Sequence, residues 1–338
     1  METYFYQHKN NPVYRQFADL LGFQPGAIGQ VQRDSVLSPG NPPLTGRDGL
    51  APQSSSIKLH RIPFLPIGFF KTHRITTGDF PEQAFFESSG TTQTGQSRHY
   101  VKDVGLYEQS FIEAFRIFYG DIRDYCILAL LPSYLERGHS SLVYMADVLI
   151  RESGHPHSGF YLDQFSTLHR VLQELESSGQ KTILLGVTFA LLDFAEAYRL
   201  ELKHTIVMET GGMKGRKREL TREDVHGFLM GRWGLQQVHA EYGMTELLSQ
   251  AYSKGRGRFH APPWMRVLLR SEDDPLSLTD AAGNLRTDGL INIIDLANIH
   301  SCAFVATDDL GRLHPDGSFE VVGRMDNSDL RGCSLLTA

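Results

Sequence analysis

From about residue 105 onward, stretches with helical period alternate with short, continuously apolar ones, and this alternation restricts the fold more than any other feature of the chain. "LYEQSFIEAFRIFYG" repeats apolar residues at helical spacing, whereas "YCILALLPSY" is an unbroken apolar run suited to a buried strand. "SSLVYMADVLIRESG" and "LDQFSTLHRVLQELESSGQ" are helical again, the second ended by Gly179, and the strand "KTILLGVT" and the helix "FALLDFAEAYRLEL" follow. "HTIVMETGGMKG" is a strand running into a glycine turn, and "TREDVHGFLMGRWG" opens with the Thr221 to Asp224 spacing of a capping box. The pattern predicts a layered α/β core. Beyond 262 it changes to shorter strands, "WMRVLLR", "GLINIIDL" and "AFVATDDLGRL", which predict a small β-rich lobe. No internal repeat is present.

Ahead of this core, residues 3–22 read as one amphipathic packing helix ended by Gly22, within an N-terminal helical segment over 1–30. Residues 31–58, "VQRDSVLSPGNPPLTGRDGLAPQSSSIK", are rich in Pro, Gly and Ser without apolar period, so they are expected to form a long loop or insertion. With 338 residues of which 41% are apolar, the chain can bury one large core or two modest ones. "METYFYQHKN" lacks the basic start and apolar run of a signal peptide, and no apolar segment is long enough to span a bilayer, so the expectation is a cytoplasmic protein without a transmembrane segment. Three unpaired-looking cysteines, Cys126, Cys302 and Cys333, agree with a reducing compartment. A net charge of −6 with interspersed signs argues against a nucleic-acid surface.

Several short stretches carry candidate chemistry. In "ESSGTTQTGQSR", residues 87–98, two glycines let the backbone bend so that its amides can face an anion; hydroxyls add donors, and Arg98 adds a charge at the exit. The loop is a phosphate cradle in kind, without the Gly-Lys-Ser/Thr ending of a Walker loop, and a surface turn has the same composition. "AEYGMTELLSQAYS" sets Tyr242, Gly243, Thr245 and Glu246 within five residues: a ring to stack a base, a hydroxyl for a phosphate and a hard oxygen for Mg²⁺. A capped helix start is the alternative there. "METGGMKGRKREL" places the Gly211–Gly212 turn before Lys214 and Arg216, with a solvated basic run as the alternative. "FVATDDLGRL" offers Asp308 and Asp309 for ribose hydroxyls, and "VVGRMDNSDLRG" offers Arg324 and Asp326; turn chemistry accounts for either pair equally well.

Taken in order, "SSGTT", "GGMKGR", "EYGMTE", "TDDLGR" and "GRMDNSDLRG" resemble the signature series of the adenylate-forming enzymes, which include acyl-CoA synthetases and firefly-type luciferases. Within that superfamily, "FFESSGTT", "SRHYVKD", "LPSYLERGHSSLVYM", "METGGMKGR" and "EYGMTELLSQAYS" look most like the acyl-protein synthetase of the bacterial luminescence fatty-acid reductase system. The resemblance covers about residue 60 to the end. It implies the N-terminal-type core of adenylate-forming enzymes over 59–322, a hinge-like segment and mobile tail over 323–338, and absence of the superfamily's C-terminal domain with its lysine. ATP and Mg²⁺ are the implied cofactors. By the same resemblance Ser88, Ser89, Gly90, Thr91 and Thr92 wrap the β- and γ-phosphates, Gly211, Gly212 and Gly243 belong to the nucleotide-binding set, and Tyr242 stacks on adenine. Thr245 touches the α-phosphate, Glu246 holds Mg²⁺, Asp309 binds ribose and Arg324 contacts the nucleotide near the hinge. The phosphate loop departs from the family in reading "GTTQTG" and in lacking its lysine, for which Arg98 is the candidate substitute, and Lys214 or Arg216 are the candidates to stand in for the lysine of the absent C-terminal domain.

The implied reaction is ATP-dependent activation of a carboxylic acid, a fatty acid above all, to an acyl-adenylate, followed by transfer to a cysteine thiol. Cys333 in "RGCSL" is the matching acceptor, with Arg331 two residues away to lower its pKa. An acyl-reductase or other acyl-acceptor protein is the expected partner. Release to coenzyme A, or a non-catalytic nucleotide-binding protein, are the alternative readings.

Overall fold

The computed structural model describes residues 1–23, 62–88, 95–131, 138–211, 220–280 and 282–325. The loop read at 31–58 and the tail beyond 325 lie outside them. Along the chain the strands are β1 (Leu65–Pro66), β2 (Ala84–Glu87), β3 (Arg98–Val101), β4 (Cys126–Leu130), β5 (Gly159–Phe160), β6 (Thr182–Val187) and β7 (Thr205–Thr210). After them come β8 (His239–Tyr242), β9 (Ala251–Ser253), β10 (Arg258–His260), β11 (Met265–Arg270), β12 (Asp288–Asp295), β13 (Phe304–Leu313) and β14 (Phe319–Arg324).

The apolar runs become parallel strands. β4 and β6 have every residue buried and are almost wholly apolar, because a strand covered by helices on both faces has no solvent side; β8 is equally buried but carries His239 and Glu241. β5, β4, β6, β7 and β8 lie side by side in that order, all parallel. Helices Ser141–Ser153, Phe165–Ser178, Thr188–Ala197 and Arg222–Trp233 make the crossovers, where the helical period places them. The capping box read at Thr221 and Asp224 forms in both directions. Trp233, fully buried, closes this half by packing on Phe194 at 5.7 Å and donating its indole N–H to the Tyr198 carbonyl at 3.1 Å.

At β8 the pairing changes sense. The ladder runs on through β9, β10, β14, β13, β12 and β11 as antiparallel neighbours, with β1 added alongside β13. The β-rich stretch expected beyond 262 therefore has an apolar cluster of its own, centred on Ile291, Ile293, Phe304 and Phe319, while sharing one continuous sheet with the parallel half. β2 and β3 form a separate hairpin.

The single helix read over 3–22 is instead two, Glu2–Asn10 and Pro12–Leu20. Pro12 has no N–H to donate to the turn before it, and its ring collides with that turn's carbonyl, so the helix restarts there. Asn11 caps the restart, its side-chain oxygen accepting from the Tyr14 N–H at 2.9 Å. These helices are part of the antiparallel half's core. Gln7, fully buried, donates to the Asn298 and Ile299 carbonyls at 3.1 and 3.0 Å and accepts from the Ala303 N–H at 2.9 Å. Among the described residues no helix is long and apolar enough to cross a membrane.

Candidate nucleotide site

The site lies where the sheet changes sense, at the C-terminal ends of β7 and β8, the end at which open α/β sheets leave a crevice. Tyr242, the last residue of β8, donates its hydroxyl to Asp309 Oδ2 at 2.9 Å, across 67 residues of chain. Its ring packs against Phe259 and Phe319 at 5.9 and 5.6 Å, and 9% of the residue is exposed. Burial first, and the Asp309 carboxylate second, push the phenol well above its ordinary range, so it serves as a donor throughout the physiological pH range. Asp309 stands opposite Arg324 in the β13–β14 register, with the guanidinium Nε 3.8 Å from Oδ1. Asp309 and Arg324, read separately in the sequence, are thus side by side, and Tyr242 joins them. Gly323 and Arg324, from which the hinge-like segment was expected, are the last residues of β14.

The segment after Tyr242 is held by its backbone. His99, on β3, reaches the Thr245 carbonyl through Nδ1 at 2.8 Å and the Asn298 side chain through Nε2 at 2.9 Å. Asn298 donates its amide to the Glu246 carbonyl at 2.7 Å. Burial pushes His99 down to about 4, against the hydrogen bonds to the Thr245 carbonyl and Asn298 Oδ1, so the ring is neutral at pH 7; both of those oxygens accept, and the single N–H of the neutral ring donates to one of them at a time. Two residues farther on, the fully buried Asp295 carboxylate accepts from the Leu248 N–H at 2.8 Å and the Ser249 hydroxyl at 2.6 Å. Thr245 and Glu246 therefore sit on a fixed loop, not at the helix start that was the alternative for them: β8 runs into turns and then β9.

Glu241 explains why glycine follows Tyr242. A Cβ at Gly243 would overlap Glu241 Oε1 and come within 3.3 Å of Gln250 Cγ. Glu241 is itself 8% exposed and accepts the Thr210 hydroxyl, and burial raises its carboxyl from the ordinary 4.5 to about 7 in spite of that bond. Between about pH 4.5 and 7 the folded chain keeps a proton that the unfolded chain has released, so stability from this group falls as pH rises through that window and levels off above it. Glu241→Gln is expected to remove this component, whose slope is at most about 1.4 kcal/mol per pH unit, and to raise the denaturant midpoint at pH 8. Urea melts of both proteins from pH 5 to 8 test it; parallel pH profiles would refute the assignment.

Of the hydroxyl and glycine loop, Ser88 stands at the neck, its side chain accepting from the Ser97 N–H at 3.0 Å. Ser89, Gly90, Thr91 and Thr92 lie outside the described residues, as do Gly212, Lys214, Arg216, Asp326 and Cys333. Arg98 faces Glu87 across the hairpin and binds its Oε1 through Nε at 2.7 Å, with the guanidinium otherwise largely in solvent. Gly211 follows the last residue of β7 and has φ +76, its carbonyl accepting from the Thr188 hydroxyl at 3.1 Å. That hydroxyl also contacts Glu209 Oε1, and Glu209 Oε2 lies 3.0 Å from His226 Nε2. His99, Asn298, Asp295, Glu241 and Glu209 escape a residue-by-residue reading. Apart from Asp295 capping the Ala297 N–H two residues on, the partners named here lie 17 to 199 positions away in the chain, beyond the reach of local spacing.

No protein-family model matches the chain, and no curated protein matches it. Among solved structures, that of McyG A-PCP complexed with phenylalanyl-adenylate is 13% identical, covers 72% of this chain and 47% of its own, and superposes with a TM-score of 0.50. The luciferase-like enzyme from the nonluminescent Zophobas morio mealworm is 16% identical over 76% of this chain and 61% of its own, with a TM-score of 0.46. For O-succinylbenzoate coenzyme A synthetase (MenE) from Bacillus subtilis, in complex with ATP and magnesium ion, the figures are 15%, 71%, 49% and 0.47. The chain spans about half the length of the solved proteins it matches. At such identities the likeness is one of fold, and it agrees with the α/β core expected from the sequence.

Proposed function

We propose that the chain binds ATP with Mg²⁺, activates a carboxylic acid as its acyl-adenylate, and passes the acyl group to the thiol of Cys333. The observation that carries this reading is the meeting of Tyr242 and Asp309 beside the rigid Gly243–Glu246 turn, because motifs far apart in sequence converge on one end of the sheet. The fold shared with McyG A-PCP, a protein solved with phenylalanyl-adenylate, supports it.

In this reading Asp309 accepts the ribose hydroxyls, and the Tyr242 hydroxyl holds that carboxylate in place from the buried side. Thr245 offers its hydroxyl to the α-phosphate from a backbone that His99 fixes. Glu246 would hold Mg²⁺. Among the described residues no cluster of three or more His, Cys, Asp or Glu side chains is suited to a metal, and a single carboxylate sharing the ion with phosphate oxygens fits the way Mg²⁺ is usually bound. The ion would neutralise charge on the phosphoryl oxygens. Ser88 and the loop residues Ser89 to Thr92 supply donors to the β- and γ-phosphates, with Arg98 and Lys214 as the candidate cations. The substrate carboxylate attacks the α-phosphorus and pyrophosphate leaves.

The acid is a fatty acid in this reading, and an acyl-acceptor protein takes the group on from Cys333. Two of the three cysteines are poor acceptors, which supports the third: burial pushes Cys126 up to about 11 and Cys302 up to about 12, and both are fully buried. The test is incubation with ATP, Mg²⁺ and dodecanoic to hexadecanoic acids, with and without hydroxylamine. An acyl hydroxamate in the one arm and an acyl mass on the intact protein in the other are expected. ATP binding without hydroxamate would make this a nucleotide-binding protein, and acyl transfer to added coenzyme A alone would make it an acyl-CoA ligase.

A further inference from the structure

Arg270 ends β11 and is buried, with 7% of its surface exposed. Among the described residues no carboxylate pairs with it. Its guanidinium is spent on neutral oxygens: Nη1 donates to the Ile291 carbonyl at 3.0 Å and to Asn292 Oδ1 at 2.8 Å, and Nη2 donates to the Thr307 carbonyl at 2.6 Å. Burial lowers its pKa, with Asp308 acting the other way, so the position is costly for a cation. A buried charge kept without an ion-pair partner calls for a reason.

The reason lies in the register it spans. Leu290 pairs with Leu310 and Asn292 with Ala306, so the single residue Ile291 of β12 faces three residues of β13. Those three are Thr307, Asp308 and Asp309. The bulge lifts the acidic pair out of the β12–β13 ladder, while Asp309 stays in register with Arg324 of β14, and a bulge of that size interrupts the hydrogen bonds between β12 and β13. Arg270 and Thr307 fill the gap. The Thr307 hydroxyl donates to the Ile291 carbonyl at 2.9 Å and accepts from the Asp309 N–H at 3.1 Å, while the Arg270 fork ties the Ile291 carbonyl on one strand to the Thr307 carbonyl on the other. A planar fork can hold two carbonyls at a set separation, which a lysine's point charge cannot do.

We propose that Arg270 is a positioning residue for nucleotide recognition: with Thr307 it replaces the missing ladder bonds and fixes the bulge that turns Asp309 toward Tyr242. The inference rests on the reading of Asp309 as the carboxylate that binds ribose hydroxyls. Its consequence is selectivity for the ribose, since a carboxylate held in one place discriminates a sugar with both hydroxyls from one lacking the 3′-hydroxyl.

Affinities for ATP and for 3′-deoxyATP, each with Mg²⁺, are measured by competition against a fluorescent ATP analogue for wild type, Arg270→Lys, Arg270→Met and Thr307→Val, alongside thermal melts. Wild type is expected to prefer ATP about 10-fold or more, the worth of one hydrogen bond to a charged acceptor. In folded variants the ratio is expected to fall toward unity, in Thr307→Val as well as in Arg270→Lys. A residue that only stabilises the fold would shift the melting temperature and leave the ratio alone, and that result overturns the inference while the ribose reading stands. No preference in wild type overturns the ribose reading and the inference with it. Should Arg270→Met fail to fold, Thr307→Val, which keeps the branched shape without the hydroxyl, carries the test.

Discussion

Cys333→Ser is expected to abolish the acyl adduct on the intact protein while hydroxamate formation from ATP and fatty acid continues. The two steps need different chemistry. Adenylation uses the substrate's own carboxylate as nucleophile, so it is indifferent to the thiol. Transfer needs a sulfur anion to attack the acyl carbonyl, form the thioester carbon–sulfur bond and expel AMP, and a serine hydroxyl is scarcely ionised at pH 7. Neither remaining cysteine can take over, because Cys126 lies inside the β4 strand and Cys302 donates its thiol to the Phe304 carbonyl at 3.3 Å, both buried and both shifted away from the thiolate. Peptide mapping of the adduct decides the matter. An adduct that survives in Cys333→Ser sinks the assignment, whereas a hydroxamate yield that falls together with the adduct would mean that the substitution had damaged adenylation.

The second large effect belongs to Asp309. Asp309→Ala is expected to lower kcat/KM for ATP about 10²-fold, at the upper end of what hydrogen bonds to a charged acceptor contribute, with the KM for the acid little changed. It also strands the Tyr242 hydroxyl in a buried position and leaves Arg324 without its carboxylate, so a loss of roughly 1–3 kcal/mol in stability accompanies the kinetic change. Tyr242→Phe separates the two contributions. It removes the bond from below while sparing the carboxylate, and a kinetic loss much smaller than that of Asp309→Ala is expected. Equal losses would mean that Asp309 works through Tyr242 instead of through the nucleotide.

Much of the α/β half was legible because its signals are local. The apolar runs at β4 and β6, the helical periods between them and the Thr221 capping box each depend on neighbours within a few residues, and each appears where it was read. Pro12 was legible too, and the expectation of one helix over 3–22 passed over it. The candidate site was legible only in part. Tyr242, Thr245, Glu246, Asp309 and Arg324 carry residue types suited to a nucleotide, so the motif order drew attention to them. Their supports do not: His99 and Arg270 are unremarkable in sequence, one inside "SRHYV" and the other at the end of "WMRVLLR".

Thus the sequence by itself determined the alternation of helix and buried strand from β4 through β7, and which residues carry the hydroxyl, carboxylate and guanidinium groups of the motif series, since both follow from side-chain type and short-range spacing. Only the tertiary structure decided that the parallel and antiparallel strands make one sheet and that Tyr242 donates to Asp309. Only there, too, does a buried arginine close a bulge in β13 that no composition foretells. Register and burial are set by contacts between residues tens to hundreds of positions apart, and a chain read in order does not contain that distance.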